Sequence, residues 1–167
     1  MGIQLHEIVN AAPDEVATLV RLRQECGWDA ESVPAWIASA QAGDRVNFFV
    51  ITDSEDVSKP HIIGMISLVL DLPLEKHMAD KSMFRSELQS LFISSTFRGK
   101  GLGEQTVLHT EKYARERGIQ ELTLHVWSGN KKLIKTYKKL GYTQFTDLIP
   151  STWPGWDGTT IGMRKFL

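Results

Sequence analysis

The chain has 167 residues, of which 42% are hydrophobic and 23% charged, and this balance predicts one globular domain over residues 1–167. A single cysteine, Cys26, excludes a disulfide framework and a cysteine-based metal cluster, and it favours a reducing compartment such as the cytoplasm. No apolar run reaches membrane-spanning length, the N-terminus lacks a signal-peptide layout, and the net charge of −1 argues against general nucleic-acid binding.

The first half of the chain is predicted to alternate strands with two short helices. A strand comes first, followed by two helices that open at prolines and end at glycines, as helix starts and stops commonly do. Two β-rich runs around an acidic loop, Asp53–Pro60, then predict a hairpin. A long connection without clean periodicity follows, and such loops often carry function. In order, these segments are Ile3–Val9, Pro13–Cys26, Ser32–Gly43, Arg45–Thr52, His61–Leu70 and Asp71–Arg85.

A glycine-rich turn is the most informative feature of the chain. The apolar run Leu88–Ile93 predicts a strand, and Arg98-Gly99-Lys100-Gly101-Leu102-Gly103 follows it at the start of a helix that ends near Arg117. Such a turn exposes backbone N–H groups at the positive end of a helix dipole, and glycine lets a diphosphate approach closely. The spacing fits neither the Walker pattern nor the dinucleotide-binding pattern. The next strand, Glu121–Trp127, should lie parallel to the first, because a crossover helix joins them.

The helix predicted over Asn130–Leu140 has two distinct faces. Five lysines share one side, whereas Leu133, Ile134 and Tyr137 lie on the other, so Tyr137 should point into the core. The segment 98–140 has ten Lys and Arg against four Asp and Glu, and the remainder has nine against sixteen. This asymmetry would suit a polyanionic cofactor and a cationic acceptor, although solvated surface charge would also explain it. The closing strands are Thr143–Leu148 and Thr159–Phe166.

Two separate motifs carry a resemblance to a known family. The first is Arg98-x-x-Gly101-x-Gly103, which matches Arg/Gln-x-x-Gly-x-Gly/Ala. The second is Leu-x-Val-x-x-x-Asn followed by Tyr-x-x-x-Gly-Phe/Tyr, matched by Leu124, Val126, Asn130, Tyr137, Gly141 and Tyr142. By these residues the chain resembles the GNAT superfamily of N-acetyltransferases. The resemblance implies a mixed α/β fold with a mostly antiparallel sheet, a central parallel strand pair and helices on both faces.

The resemblance also implies an acetyl-CoA site without a metal ion. The diphosphate would bind at the glycine-rich turn, and Asn130 would both cap its helix and hold pantetheine. Backbone N–H groups near Phe92 and Ile93 would stabilise the oxyanion, and Tyr137 would return a proton to the departing thiolate. The implied cofactor contacts are Leu91, Phe92, Ile93, Arg98, Gly99, Lys100, Gly101, Leu102, Gly103, Glu104, Asn130 and Tyr137.

Two residues are candidates for the general base. His125 is one candidate because imidazoles ordinarily have a pKa near neutral pH, and it occupies a position where some branches of the family carry a glutamate proposed as base. Glu87, at the start of the site strand, is the alternative, because other branches take a carboxylate from that strand. A hydrogen-bonded strand histidine and a solvated acid at a strand end are the competing structural explanations.

The acceptor is less constrained than the cofactor. We expect Trp28, Trp36 and Trp153 to border its site, although anchoring in the core would also explain these side chains. The expected reaction is acetyl transfer from acetyl-CoA to a primary amine of a small molecule, by direct attack in a ternary complex. A protein or peptide acceptor is one alternative, and a non-catalytic acyl-CoA-binding module that regulates a partner is another. No nucleic-acid or membrane partner is expected, and homodimerisation is left open.

Overall fold

The structure is a computed structural model that describes residues 2–52, 61–70, 84–152 and 156–167. The predicted loop 53–60, residues 71–83 of the long connection and Trp153 lie outside the described residues. The helices are α1 (Pro13–Glu25), α2 (Val33–Gln41), α3 (Leu102–Glu116) and α4 (Lys131–Lys139). The strands are β1 (Ile3–Glu7), β2 (Arg45–Thr52), β3 (His61–Val69), β4 (Arg85–Ile93), β5 (Glu121–Trp127), β6 (Thr143–Gln144), β7 (Ile149–Pro150) and β8 (Thr159–Phe166). Within the described ranges, none of the helices combines the length and apolar character needed to cross a membrane.

The strands form one mixed sheet. Their order is β1-β2-β3-β4-β5-β8-β6, and β7 pairs with β8 beside this path. β4 and β5 are parallel because α3 carries the chain back between them, whereas the other described pairs are antiparallel. The predicted fold class, with its central parallel pair and helices on both faces, is confirmed.

The two helix pairs cover opposite faces of the sheet. On one face, Leu88 and Leu124 share a core with residues of α3 and α4, including Tyr137. On the other face, Phe49 and Met65 pack with residues of α1 and α2. These surfaces are named the α3–α4 face and the α1–α2 face. Because side chains alternate along a strand, the odd-numbered neighbours of Leu88 and Leu124 point toward the α1–α2 face.

The C-terminal edge of the sheet differs from the prediction. Thr143–Leu148 is not one continuous strand, because within it only Thr143 and Gln144 pair with β8 as ladder residues, and regular pairing resumes at β7. There Phe145 packs on Val69, and the Thr146 hydroxyl accepts a hydrogen bond from the Gly162 N–H at 2.7 Å. A side chain at residue 162 would not fit, since its Cβ would lie 2.7 Å from the Thr146 methyl carbon. The Thr146 hydroxyl oxygen thus takes the place of a backbone carbonyl as the acceptor for the Gly162 N–H of β8.

Candidate active site

β4 separates from β5 halfway along its length. The two strands pair only as far as Leu88 and Leu124, whereas β4 continues to Ile93. Ser90 has a φ of 58°, which residues other than glycine rarely adopt, and the register between β3 and β4 shifts beside it. This β-bulge bends β4. Beyond Leu88, the backbone groups of β4 that face β5 lack a partner strand within the described residues.

The opened end of β4 is tied to the turn that follows it. Arg98 donates from Nε to the carbonyl oxygen of Ile93 at 2.8 Å, and its guanidinium lies 5.4 Å from the centre of the Phe92 ring. The Arg98 side chain thus fixes the turn to the strand, while the residue stays exposed to solvent. Leu91, another predicted cofactor contact, is partly buried against the core of the α3–α4 face.

The glycine-rich turn has the geometry of an anion site. Gly99 and Gly101 have φ of 78° and 73°, a left-handed conformation that glycine adopts without strain. Gly101 is the residue before α3 and offers no capping side chain, so the first N–H groups of the helix have no side-chain acceptor there. A Cβ added at Gly99, Gly101 or Gly103 would meet nothing within 4 Å. This open cradle of N–H donors fits a diphosphate.

The first turn of α3 is also linked to α4. Lys139 donates from Nζ to the Glu104 carboxylate at 2.8 Å, in an exposed pair. Glu104 is one of the predicted cofactor contacts, and its carboxylate has Lys139 as its counter-ion. Lys100 lies with its ammonium 5.6 Å from the centre of the Phe97 ring. Both lysines add positive charge beside the glycine-rich turn.

Asn130 and Tyr137 occupy their predicted places on α4. Asn130 caps the helix, because its Oδ1 accepts a hydrogen bond from the Leu133 N–H at 3.1 Å. Tyr137 is buried, with its ring centre 5.6 Å from that of Tyr142. Burial raises the pKa of Tyr137 to about 12. The phenol is therefore protonated at neutral pH and can serve as a hydrogen-bond or proton donor.

Glu87 and His125 meet where β4 and β5 separate. Oε1 of Glu87 lies 3.3 Å from Nδ1 of His125, and both side chains point to the α1–α2 face. Glu87 is 9% exposed, so the alternative of a solvated acid at a strand end is wrong for this residue. From the sequence, Glu87 and His125 were predicted as alternative candidates for the general base. The structure joins them into one hydrogen-bonded pair.

A chain of hydrogen bonds runs from this pair toward β2. Gln89 donates from Nε2 to Oε1 of Glu87 at 3.2 Å and accepts from Nη1 of Arg45 at 3.1 Å. Arg45 also donates from Nε to Oδ1 of Asn47 at 2.8 Å, and the Ser67 hydroxyl donates to the same oxygen at 2.8 Å. All five side chains point to the α1–α2 face. Together with His125 of β5, this network places the Glu87 carboxylate among side chains from four strands.

Two arginines share one tryptophan beside this chain. The guanidinium carbons of Arg45 and Arg23 lie 4.1 and 4.4 Å from the centre of the Trp36 ring, and that of Arg23 lies 5.2 Å from Trp28. Burial lowers the pKa of both arginines, to about 10 for Arg45. With a pKa of about 10, Arg45 stays charged at neutral pH. Trp28 and Trp36, predicted to border the acceptor site, thus lie against arginines, and Arg45 connects Trp36 through Gln89 to Glu87.

Sequence analysis missed Arg45 and Gln89. The signal for Arg45 was its place in the run RVNFFVIT, where Arg45 and Asn47 occupy one face of an otherwise apolar, buried strand. A charged residue at a buried sheet position usually has a partner or a function. Gln89 gave no such signal, because its role depends on side chains from β2 and β4 meeting in space.

Comparison with known proteins places the chain in a family. Residues 13–142 match the family model described as the acetyltransferase (GNAT) family. A protein named "Probable glucosamine 6-phosphate N-acetyltransferase" from Drosophila melanogaster is 34% identical over 94 residues, which are 56% of this chain and 40% of that protein. Mycothiol acetyltransferase from Corynebacterium glutamicum is 37% identical over 60 residues, which are 34% of this chain and 20% of that protein. The chain thus spans less than half of the length of these relatives.

Solved structures share the whole fold at low sequence identity. Ribosomal-protein-alanine N-acetyltransferase from Brucella melitensis matches 98% of this chain and 99% of its own, with a TM-score of 0.72 and 18% identity. Spermidine N-acetyltransferase from Vibrio cholerae, solved with CoA and spermine, matches 98% and 95%, with a TM-score of 0.72 and 15% identity. At these identities the likeness shows the fold alone.

Proposed function

Because this chain belongs to the GNAT family of acetyltransferases, we propose that it transfers an acetyl group from acetyl-CoA to a primary amine of a small molecule. Family membership supports the acyltransferase class and acetyl-CoA as cosubstrate. One observation carries the proposal: β4 opens from β5 at the point where Glu87 and His125 meet. The strand edge that would bind the extended thioester and a buried carboxylate therefore coincide.

Residues of the turn, the opened strand and α4 would hold acetyl-CoA. The open N–H cradle at Gly99, Gly101 and Gly103 suits the diphosphate. The unpaired edge of β4 offers backbone groups to the amides of pantetheine, in the manner of an added strand. The amide nitrogen of Asn130, whose oxygen caps α4, is a further donor toward pantetheine. Acetyl-CoA supplies the thioester, and the remaining chemistry belongs to the side chains and backbone of the protein.

The Glu87–His125 pair would remove a proton from the amine. An alkylamine with a pKa near 10.4 is only about 0.1% neutral at a pH of about 7.4, a handicap of roughly 4 kcal/mol. A positioned base removes much of this handicap. Glu87 is held by Gln89 and His125 at 3.2 and 3.3 Å, so its carboxylate is oriented before the amine arrives.

Two further groups would act on the thioester carbon and sulfur. Backbone N–H groups of β4 near Phe92 and Ile93, on the edge that none of the described strands covers, would stabilise the oxyanion. Tyr137 would donate its proton to the departing thiolate, since its pKa near 12 keeps it protonated at neutral pH. Tyr137 belongs to the core of the α3–α4 face, whereas Glu87 lies on the α1–α2 face. Deprotonation of the amine and protonation of the sulfur would thus occur from opposite sides of the sheet.

This arrangement supports direct attack in a ternary complex. The single cysteine, Cys26, follows α1, and its thiol donates to the carbonyl oxygen of Arg23 at 3.1 Å. Burial raises the pKa of the Cys26 thiol, which disfavours the thiolate that a covalent intermediate would need. The relative named for glucosamine 6-phosphate acetylation supports a small acceptor.

A panel assay tests the proposal. Thiol release from acetyl-CoA would be followed with polyamines, amino sugars, amino acids, arylamines and short peptides, for the wild type and for Tyr137→Phe. A tyrosine-dependent signal with a small amine is the expected result. A signal confined to peptides would favour a protein acceptor, and silence with intact acetyl-CoA binding would favour a non-catalytic acyl-CoA-binding module.

A further inference from the structure

Arg45 is a buried cation whose hydrogen-bond partners within the described residues are neutral. Its Nε and Nη1 donate to the side-chain oxygens of Asn47 and Gln89, while Nη2 is buried with no acceptor among the described residues. The residue is only 7% exposed, and no carboxylate of the described chain lies within ion-pair distance of it. Buried charges in proteins are usually paired, and guanidinium matches the two oxygens of a carboxylate or phosphate. An oxyanion is the partner that this site lacks.

Arg23 doubles the positive charge at the same place. Both guanidinium groups lie against the Trp36 ring, and Arg23 and Arg45 are 9% and 7% exposed. Asp29 offsets Arg23 in part, at 3.6 Å, but its side chain is 62% exposed and therefore well screened. The proximity of Arg23 also contributes to the lowered pKa of Arg45, whereas Glu87 opposes that shift. A bound anion would relieve this repulsion.

The two arginines lie on the acceptor side of the proposed reaction centre. Arg45, Val69 and Glu87 occupy one row across β2, β3 and β4. The Cα atoms of Arg45 and Glu87 are therefore about two strand spacings apart, roughly 10 Å, and their side chains are bridged by Gln89. One small molecule can place its amine at Glu87 and another group at Arg45.

We propose that Arg45, stacked with Arg23 on the Trp36 indole, binds an acidic group of the acceptor, so that the acceptor is an amine that also carries a carboxylate or phosphate. This inference rests on the proposed acetyl transfer and narrows its substrate class. It differs from the cationic acceptor suggested by the charge asymmetry of the sequence, because two arginines lie on the same face of the sheet as Glu87.

Matched pairs of amines with and without the acidic group test the proposal. Phenylalanine and phenethylamine, 6-aminohexanoate and hexylamine, and 2-aminoethyl phosphate and ethanolamine would be compared by kcat/KM in thiol release. The wild type should prefer the acid-bearing member of at least one pair, and the pair that responds distinguishes carboxylate from phosphate. Arg45→Gln should reduce that preference about 10- to 100-fold, mainly through KM, as expected for a lost charge-assisted hydrogen bond.

The controls separate recognition from a structural role. Arg21→Gln changes an exposed arginine of α1 that pairs with Glu25 at 3.4 Å, and it should leave the preference intact. Equal losses for both members of a pair in Arg45→Gln would mean that Arg45 only supports Gln89 and Glu87, and would overturn the proposal.

A binding measurement keeps this test independent of turnover. If no amine is acetylated, the proposed function fails. The shift in melting temperature that the same compounds cause then still tests whether Arg45 binds an acidic group. Stabilisation of the wild type by the acid-bearing member alone, lost in Arg45→Gln, would uphold the anion site. Equal shifts for both members, or shifts that Arg45→Gln leaves unchanged, would refute it.

Discussion

Replacement of Glu87 by glutamine removes the proposed proton acceptor with little change in shape. Glutamine can keep a hydrogen bond to Gln89 or His125, which lie 3.2 and 3.3 Å from the Glu87 carboxylate, so the fold should be retained. A positioned base contributes about 10²- to 10⁴-fold to a rate. We therefore expect Glu87→Gln to lower kcat/KM by at least about 10²-fold near neutral pH. The variant can react only with amine that is already neutral. The neutral fraction of the amine rises about tenfold per pH unit as the pH approaches the amine pKa from below.

Initial rates of thiol release across neutral and alkaline pH provide the assay. The deficit of Glu87→Gln should shrink as the pH approaches the amine pKa, because the base is no longer needed there. Glu116→Gln is the matched control, since this side chain on α3 is 63% exposed and only reaches Lys112 at 4.0 Å. A Glu87→Gln variant with the wild-type rate at neutral pH, or with a deficit that stays constant with pH, would refute the role of the pair.

Three further changes test the remaining parts of the site. Tyr137→Phe should lower kcat several-fold or more with unchanged acetyl-CoA affinity. It should also change the pH dependence of stability, because the pKa of Tyr137 in the folded protein, about 12, exceeds the ordinary value of 10. In denaturant titrations between about pH 10 and 12, the wild type should therefore lose stability more steeply than this variant does. Gly103→Asp should abolish acetyl-CoA binding in calorimetry, because it places a negative charge in the N–H cradle. Its control is Gly103→Ala, which should fold normally because the added Cβ would meet nothing within 4 Å. Wild-type affinity in Gly103→Asp would mean that the diphosphate binds elsewhere. Asn130→Ala should cost about 0.5–2 kcal/mol of stability and should also weaken acetyl-CoA binding. Asn130→Ser should restore the helix cap but not the acetyl-CoA affinity. Full affinity in Asn130→Ser would exclude the Asn130 amide from pantetheine binding.

The parts of the site that depend on local sequence could be predicted. The glycine-rich turn, the Asn130 cap and the inward direction of Tyr137 each follow from residues within one or two helical turns of each other. Strand β4 was predicted to start at Leu88 but starts at Arg85, because the Arg85 guanidinium binds Glu121 of the parallel strand at 2.9 Å and makes a polar segment part of the sheet. That contact depends on register, which a short segment does not encode.

The features that sequence analysis missed arise between distant segments. The Glu87–His125 pair joins residues 38 positions apart, and the Arg45–Gln89 bond joins residues 44 positions apart. Both depend on the order of strands in the sheet and on which face each side chain occupies. The predicted strand Thr143–Leu148 was wrong for a similar reason, since the hydroxyl of Thr146 takes a backbone bond from β8.

The central claim is acetyl transfer by direct attack of an amine within a ternary complex. Its most direct test is a set of initial rates of thiol release, measured over a grid of acetyl-CoA and acceptor concentrations with the best amine of the panel. We predict release that requires the acceptor, intersecting double-reciprocal lines, and an unmodified protein after incubation with acetyl-CoA alone. Parallel lines with an acetylated protein would contradict direct attack, and the absence of acceptor-dependent release from any amine would contradict acetyl transfer itself.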